Sequence, residues 1–115
     1  MTRPRSAIPT PAEMRALLFL HKNGPSTVRE YLEKGEFPHS HAYTSVMSLL
    51  TVMFEKGLVT RTQEGRAFRY TAAMSQNDLR LTTLSYVLDH VFGGNIADLK
   101  AALVELEKRP PKKKK

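Results

Sequence analysis

The clearest pattern of apolar and polar positions along the chain lies in residues 43–56. Apolar side chains recur there at intervals of three and four residues, the spacing of one helix face; they are Val46, Leu49, Leu50 and Met53. The opposite face carries small hydroxyl side chains, namely Thr44, Ser45, Ser48 and Thr51. Lys56 and Gly57 supply the cation and the left-handed residue that commonly end a helix. The pattern therefore predicts an amphipathic helix that runs from about His41 or Ala42 to Lys56.

A short β-hairpin is predicted directly after this helix. The runs Leu58–Arg61 and Ala67–Tyr70 flank Glu64-Gly65, which is a turn signal. Three arginines lie on or beside these runs: Arg61, Arg66 and Arg69. A groove-sized helix with a thin polar face, followed by a basic hairpin, is the arrangement of a winged helix-turn-helix and indicates DNA binding.

Two upstream helices are predicted by a shared capping device. In Thr10–Glu13 and in Thr27–Glu30, a threonine precedes a glutamate by three residues, which is the spacing of a capping box. The first of these helices extends to about Asn23. Residues 34–40 follow the second helix and are predicted to form a loop, because they contain both glycine and proline.

The C-terminal part predicts two helices that each carry an apolar seam. The fourth helix runs from about residue 75 to Phe92, and the fifth follows Asn95 and stops before Pro110. The spacing of three, four and three residues is typical of a helix that packs on another helix. The seam residues are Leu81, Leu84, Leu88, Val91, Ile96, Leu99, Leu103 and Leu106. Since two short helices cannot bury both seams alone, a symmetric dimer is predicted; the alternative is that they fold back onto the first three helices of the same chain.

The charge distribution divides the chain further. The net charge is +7, but residues 108–115 hold six of the 18 basic side chains, and the rest of the chain has 12 basic against 11 acidic ones. Residues 56–70 carry a net charge of +3, whereas residues 72–107 carry −3. A basic hairpin beside an acidic C-terminal half favours a DNA-binding domain with a separate assembly module. The lysine tail either adds nonspecific attraction to DNA or is only a solvated terminus.

These elements predict a mainly α-helical chain with a small β-hairpin. A winged helix-turn-helix domain is expected at residues 9–72, a two-helix dimerisation region at 73–108, and a disordered basic tail at 109–115. The chain has no cysteine, no signal-peptide pattern and no apolar run of the ~18–20 residues that span a bilayer, so a cytoplasmic protein is predicted.

Neither a cofactor nor a metal is expected. His39 and His41 form an H-x-H pair, which is either a solvated pair or a metal-binding or pH-sensing one. The sequence offers no nucleophile with an ordered base, no phosphate-binding glycine loop and no paired carboxylates with an obvious site. An enzyme is therefore not expected.

Several strings, in this order and spacing, resemble the penicillinase-repressor family, which comprises dimeric winged-helix repressors from bacteria. They are PTPAEM at Pro9–Met14, GPSTVRE at Gly24–Glu30, AYTSVMSLL at Ala42–Leu50, EKGLVTR at Glu55–Arg61 and EGRAFRYTA at Glu64–Ala72. A weaker match, VFGGNIADL at Val91–Leu99, corresponds to the dimerisation region of the family.

The resemblance implies that residues 42–51 are the recognition helix of a repressor. The helix residues expected to approach bases or phosphates are Tyr43, Thr44, Ser45, Ser48 and Thr51. The wing arginines expected to meet the DNA backbone are Arg61, Arg66 and Arg69. Relatives that a membrane sensor protease cleaves are cut within the dimerisation region, and Asn95-Ile96 lies near that position; a glycine pair alone equally explains the local break.

Two hypotheses follow. The first is a sequence-specific repressor that binds a pseudo-palindromic operator as a dimer. The second is a winged-helix protein-interaction module without specific DNA binding. Val52 and Phe54 motivate the second hypothesis, because they are apolar where members of the family commonly carry polar or charged side chains.

Overall fold

The computed structural model of the protein describes residues 8–35 and 43–109. Within these ranges it contains five helices and three strands. The helices are α1 (Pro11–Asn23), α2 (Val28–Lys34), α3 (Tyr43–Lys56), α4 (Gln76–His90) and α5 (Ile96–Lys108), and the strands are β1 (Ser26–Thr27), β2 (Val59–Glu64) and β3 (Ala67–Ala72). The predicted fold class, mainly helical with a small antiparallel sheet, is confirmed.

Some predictions fall outside the described residues. They concern most of the loop at residues 34–40, the histidine pair His39 and His41, the start of α3 before Tyr43, and nearly all of the basic tail. Among the described residues, no helix is both long and apolar enough to cross a membrane.

Both predicted capping boxes are present. The Thr10 hydroxyl accepts a hydrogen bond from the Glu13 backbone N–H at 3.2 Å, and the Glu13 carboxylate accepts one from the Thr10 backbone N–H at 2.9 Å. Thr27 and Glu30 form the same reciprocal pair at 3.2 Å in each direction. Because each box satisfies two backbone donors at a helix end, these short local motifs determine where α1 and α2 begin.

The three strands form an antiparallel sheet in the order β1-β3-β2. Strands β2 and β3 pair from Val59 opposite Ala72 to Glu64 opposite Ala67, so the hairpin is longer than the sequence pattern predicted. Gly65 at the turn has φ +65°, a left-handed conformation that glycine adopts without strain. Strand β1 was not predicted, because two residues are too short to show an alternating pattern; it pairs with β3 at Tyr70 and Arg69. The hairpin β2–β3 is called the wing below.

The apolar face of α3 lies in the core, as its periodicity predicted. Three of its predicted inward side chains, Val46, Leu50 and Met53, are at most 2% exposed, and Leu49 packs against them. The same core contains Leu17 of α1, Val28 and Tyr31 of α2, Val59 of β2 and Tyr70 of β3. Burial of each large apolar side chain contributes roughly 1.5–3 kcal/mol, so this core fixes α3 relative to the wing.

The chain divides into two compact units, Met1–Leu79 and Arg80–Lys115. The first unit includes the start of α4, whose Leu79 is 6% exposed and belongs to the core. In the second unit, Gly93 and Gly94 follow α4 with positive φ values, and the Asn95 side chain caps α5 by accepting the Asp98 backbone N–H at 3.0 Å.

Candidate nucleic-acid interface

The exposed face of α3 carries the hydroxyl side chains that the sequence predicted. Tyr43, Thr44, Ser45 and Ser48 are exposed, and Thr51 is half-buried. They lie on the helix side away from the core because the buried residues of α3 follow the complementary periodicity. Met47, at 40% exposure, adds an apolar side chain to this surface. The helix thus presents short polar groups that permit a close approach to a binding partner.

Arg61 on β2 is held between two aromatic rings. Its guanidinium carbon lies 4.0 Å from the centre of the Phe54 ring and 4.1 Å from that of Phe68. Both distances are within the range of a cation–π interaction. The stack joins the C-terminal part of α3 to both strands of the wing, so it gives Phe54 a role that the sequence did not suggest.

Arg69 on β3 is engaged with two carboxylates. Its guanidinium donates to both carboxylate oxygens of Glu30, at 2.9 and 3.3 Å, and its Nε donates to Glu64 Oε1 at 3.0 Å. A terminal nitrogen of the same guanidinium lies 2.8 Å from Glu64 Oε1 in an ion pair. The guanidinium also donates to the Pro25 carbonyl at 3.1 Å. The hydrogen bonds from Arg69 are the main cause of a lowered Glu30 pKa, with the Thr27 backbone N–H adding to the effect, and the two carboxylates raise the pKa of Arg69. These contacts tie the wing to the start of α2.

The ion pairs change the charge pattern of residues 56–70. Lys56 pairs with the buried Glu13 carboxylate at 2.7 Å, and Arg69 pairs with Glu30 and Glu64. Within residues 8–35 and 43–109, no carboxylate lies at ion-pair distance from Arg61 or Arg66. Arg66 is exposed at the tip of the wing. The uncompensated positive charge of this segment therefore resides on these two arginines.

A cleft of about 180 Å³ lies between α3 and the wing. It brings together four of the predicted DNA-binding residues, namely Tyr43, Thr51, Arg61 and Arg66. Thr44, Ser45, Ser48 and Arg69 are not among its lining residues. We call it the α3–wing cleft, and define it by those four residues together with Met47 and Phe68, which also line it.

The sequence did not indicate Met47, Phe68 or Glu30 as parts of this region, and it indicated Phe54 only as an apolar surface residue, not as a partner of Arg61. The register of the hairpin could have indicated Phe68, because a two-residue turn at Gly65-Arg66 places Arg61 opposite Tyr70 and diagonal to Phe68. No sequence pattern pointed to Glu30, which meets Arg69 across 39 positions of the chain.

The second unit exposes most of its predicted seam. Leu88 and Leu99 are half-buried, and the other six seam residues are exposed: Leu81, Leu84, Val91, Ile96, Leu103 and Leu106. Val104 is also exposed. The region therefore presents large apolar side chains to solvent in a single chain.

Among the described residues, no cluster of three or more histidine, cysteine, aspartate or glutamate side chains could hold a metal ion.

Comparisons with known proteins agree with this architecture. The sequence model described as penicillinase repressor matches residues 9–114. A solved structure, the transcriptional regulator Tm0710 from Thermotoga maritima, is similar with a TM-score of 0.50 and 20% sequence identity, covering 90% of this chain and 80% of that chain. At this identity the likeness concerns the fold alone. No curated protein matches the sequence.

Proposed function

Because the chain belongs to the penicillinase repressor family and is a transcriptional regulator, we propose that it is a sequence-specific repressor that binds a pseudo-palindromic operator as a dimer. The observation that carries the proposal is the convergence of α3 and the wing. Tyr43 and Thr51 of the helix line one cleft with Arg61 and Arg66 of the wing, the two arginines without an acidic partner in the described chain.

In this proposal α3 enters the major groove, which at about 12 Å wide admits one helix. Thr44, Ser45 and Ser48 are exposed and short, so the helix backbone can come close to the bases. Their hydroxyl groups donate to and accept from base edges and phosphates, and a threonine methyl group can contact a thymine methyl group. These side chains therefore contribute sequence preference.

The wing arginines have different roles in the proposal. Arg66, exposed and unpaired within the described residues, contacts phosphate. Arg61 contributes the N–H donors at the edge of its stacked guanidinium, which meet the DNA backbone. Arg69 was predicted as a DNA contact, but its donors have protein partners, so we assign it the positioning of the wing against α2.

The dimer is proposed to form through α4 and α5. Their exposed apolar seam is what a second copy of the chain would bury, in an isologous contact that presents two winged units to DNA. Half-sites about one helical turn apart are then expected, and an occupied promoter is blocked.

Cleavage near Asn95-Ile96 by a sensor protease, and a cytoplasmic location, stay predictions.

The proposal is tested by anisotropy titration of the purified chain against duplex DNA between ~50 and ~200 mM salt. Arg66→Ala should weaken binding to all sequences alike and reduce the slope of log K against log salt by about one. Ser48→Ala should instead change the order of preference among operators. Arg15→Ala removes an exposed charge from α1 and serves as the control, with binding unchanged. If Arg66→Ala and Ser48→Ala both bind like the unaltered chain at every salt concentration, the proposed docking is wrong.

The protein-interaction module is the second candidate. Val52 and Met47 favour it, since both are exposed apolar side chains of α3, at 42% and 40%. Phe54 supports it less than the sequence suggested, because its ring stacks on Arg61. A weak response to duplex DNA that does not change with salt would favour this candidate over the repressor.

A further inference from the structure

The α3–wing cleft is smaller than a typical ligand pocket of ~300–1,000 Å³ and has the size of a site for one small ring. Its volume is about 180 Å³. An apolar protein cavity of about 150 Å³ accommodates benzene, so the cleft has room for one six-membered ring with a small substituent. Its walls include the apolar side chains of Val28, Met47 and Phe68, which suit the faces and edges of such a ring.

The polar groups of the cleft favour a negative charge on that molecule. Phe54 and Phe68 occupy guanidinium stacking positions on Arg61, at 4.0 and 4.1 Å. Stacking uses the faces of the planar group and leaves the N–H donors at its edge. Within the described chain neither Arg61 nor Arg66 has a carboxylate partner. Two guanidinium groups beside an apolar cavity are complementary to a carboxylate attached to a ring.

We propose that the α3–wing cleft binds a small ring-bearing carboxylate, with the ring against Met47 and Phe68 and the carboxylate at Arg61 and Arg66. Occupancy of the cleft excludes DNA, because Arg61 and Arg66 then contact the ligand. The exclusion of DNA rests on the proposed function, whereas the binding of the carboxylate to the cleft does not. A DNA phosphate would pair with the same arginines without filling the apolar part of the cleft. The contributions of the ligand's ring and of its negative charge to binding are therefore tested separately.

The test is a titration of the ¹⁵N-labelled full chain by NMR at constant ionic strength, with sodium benzoate as the probe. Benzyl alcohol supplies the ring without the charge, and inorganic phosphate supplies the charge without the ring. We expect saturable shifts at the amides of Met47, Thr51 and Ala67, with a benzoate Kd about tenfold below that of either control probe. Equal affinity for benzoate and benzyl alcohol, or shifts that do not saturate, would overturn the site.

Substitutions inside and outside the α3–wing cleft test whether benzoate binds there. Arg66→Gln should raise the benzoate Kd about tenfold and leave that of benzyl alcohol unchanged. Arg80→Gln removes an exposed charge that does not line the cleft and should change neither value. Ala67→Leu fills the cleft and should abolish saturable binding. If that variant does not fold, the Arg66→Gln and Arg80→Gln pair still decides the matter, since equal Kd values for the two would contradict the proposal.

The exclusion of DNA is tested by measuring DNA affinity with benzoate present at about ten times its Kd. Mass action predicts that this affinity falls about tenfold relative to chloride at the same ionic strength. Unchanged DNA affinity with the cleft occupied would overturn the exclusion. If duplex DNA does not bind at any salt concentration without benzoate, the proposed repressor function fails, and the NMR titration still decides whether the cleft is a carboxylate site.

Discussion

The two compact units differ in how their apolar side chains are covered. The winged unit, residues 1–79, buries side chains from α1, α2, α3, β2 and β3 in one core. In the second unit, α5 contains no buried residue over its described length, 96–108, and the one buried residue of α4, Leu79, belongs to the core of the winged unit. Both units have amphipathic helices, so periodicity alone does not distinguish them. The difference supports the proposed dimer, because the first unit buries its apolar side chains within one chain, whereas the second leaves a seam that a second copy would bury.

The largest expected effect is in the core of the winged unit. Leu50→Ala removes a side chain that is 2% exposed, and should lower the free energy of unfolding by about 2–5 kcal/mol in urea denaturation. A position two residues further along the same helix supplies the control. Val52→Ala changes a side chain that is 42% exposed and should alter stability by less than about 0.5 kcal/mol. Equal losses in the two variants would remove the contrast between buried and exposed faces of α3.

The next effect concerns the second unit. Leu103→Asp places a charge on the exposed seam of α5, where a second copy would have to bury it, and should raise the dimer dissociation constant by at least about tenfold in sedimentation equilibrium. Ala101→Asp introduces the same charge on the same helix but off the seam, and should leave assembly unchanged. A chain that is monomeric before either change would contradict the role given to the seam.

A smaller effect is expected from the cap of α1. Thr10→Ala removes the hydroxyl that accepts the Glu13 backbone N–H and should lower the free energy of unfolding by about 1 kcal/mol. Thermal or urea denaturation measures the loss. Ser85→Ala, at an exposed position of α4, is the control and should change stability by less than about 0.5 kcal/mol.

The smallest and most specific effect is a pH dependence of the stability that the contacts between Glu30 of α2 and Arg69 of the wing contribute. The pKa of Glu30 is lowered in the folded chain, chiefly by the hydrogen bonds from Arg69, so the stability it contributes is present above the usual pKa of 4.5 and is lost as the pH falls through the lowered value. Glu30→Gln keeps a capping-box side chain and removes the charge. The stability difference between the two chains, measured by urea denaturation, should be constant above about pH 5 and should shrink at lower pH. A difference that grows toward acid pH would show that the sign is wrong.

The helices were predictable because their determinants are local. Thr10 with Glu13 and Thr27 with Glu30 lie three positions apart, and the 3.6-residue period places Val46, Leu50 and Met53 on one face without reference to the rest of the chain. The contacts around the candidate site, in contrast, join residues that are far apart in the sequence. Glu13 reaches Lys56 across 43 positions and Glu30 reaches Arg69 across 39. The sequence shows which residues are basic, but not which of them pair with acids, so it did not indicate the partners of Arg69; a DNA contact by Arg69 stays a prediction.

In the function proposed above, two copies of the chain contact one duplex, each through the exposed face of α3 and through Arg61 and Arg66, which have no carboxylate partner among the described residues. Selection of duplexes from a random DNA pool by the purified chain tests this proposal most directly. We expect enrichment of a symmetric motif whose two half-sites are centred about one helical turn apart. Enrichment of a single asymmetric half-site, or no enrichment while the chain remains folded, would contradict it.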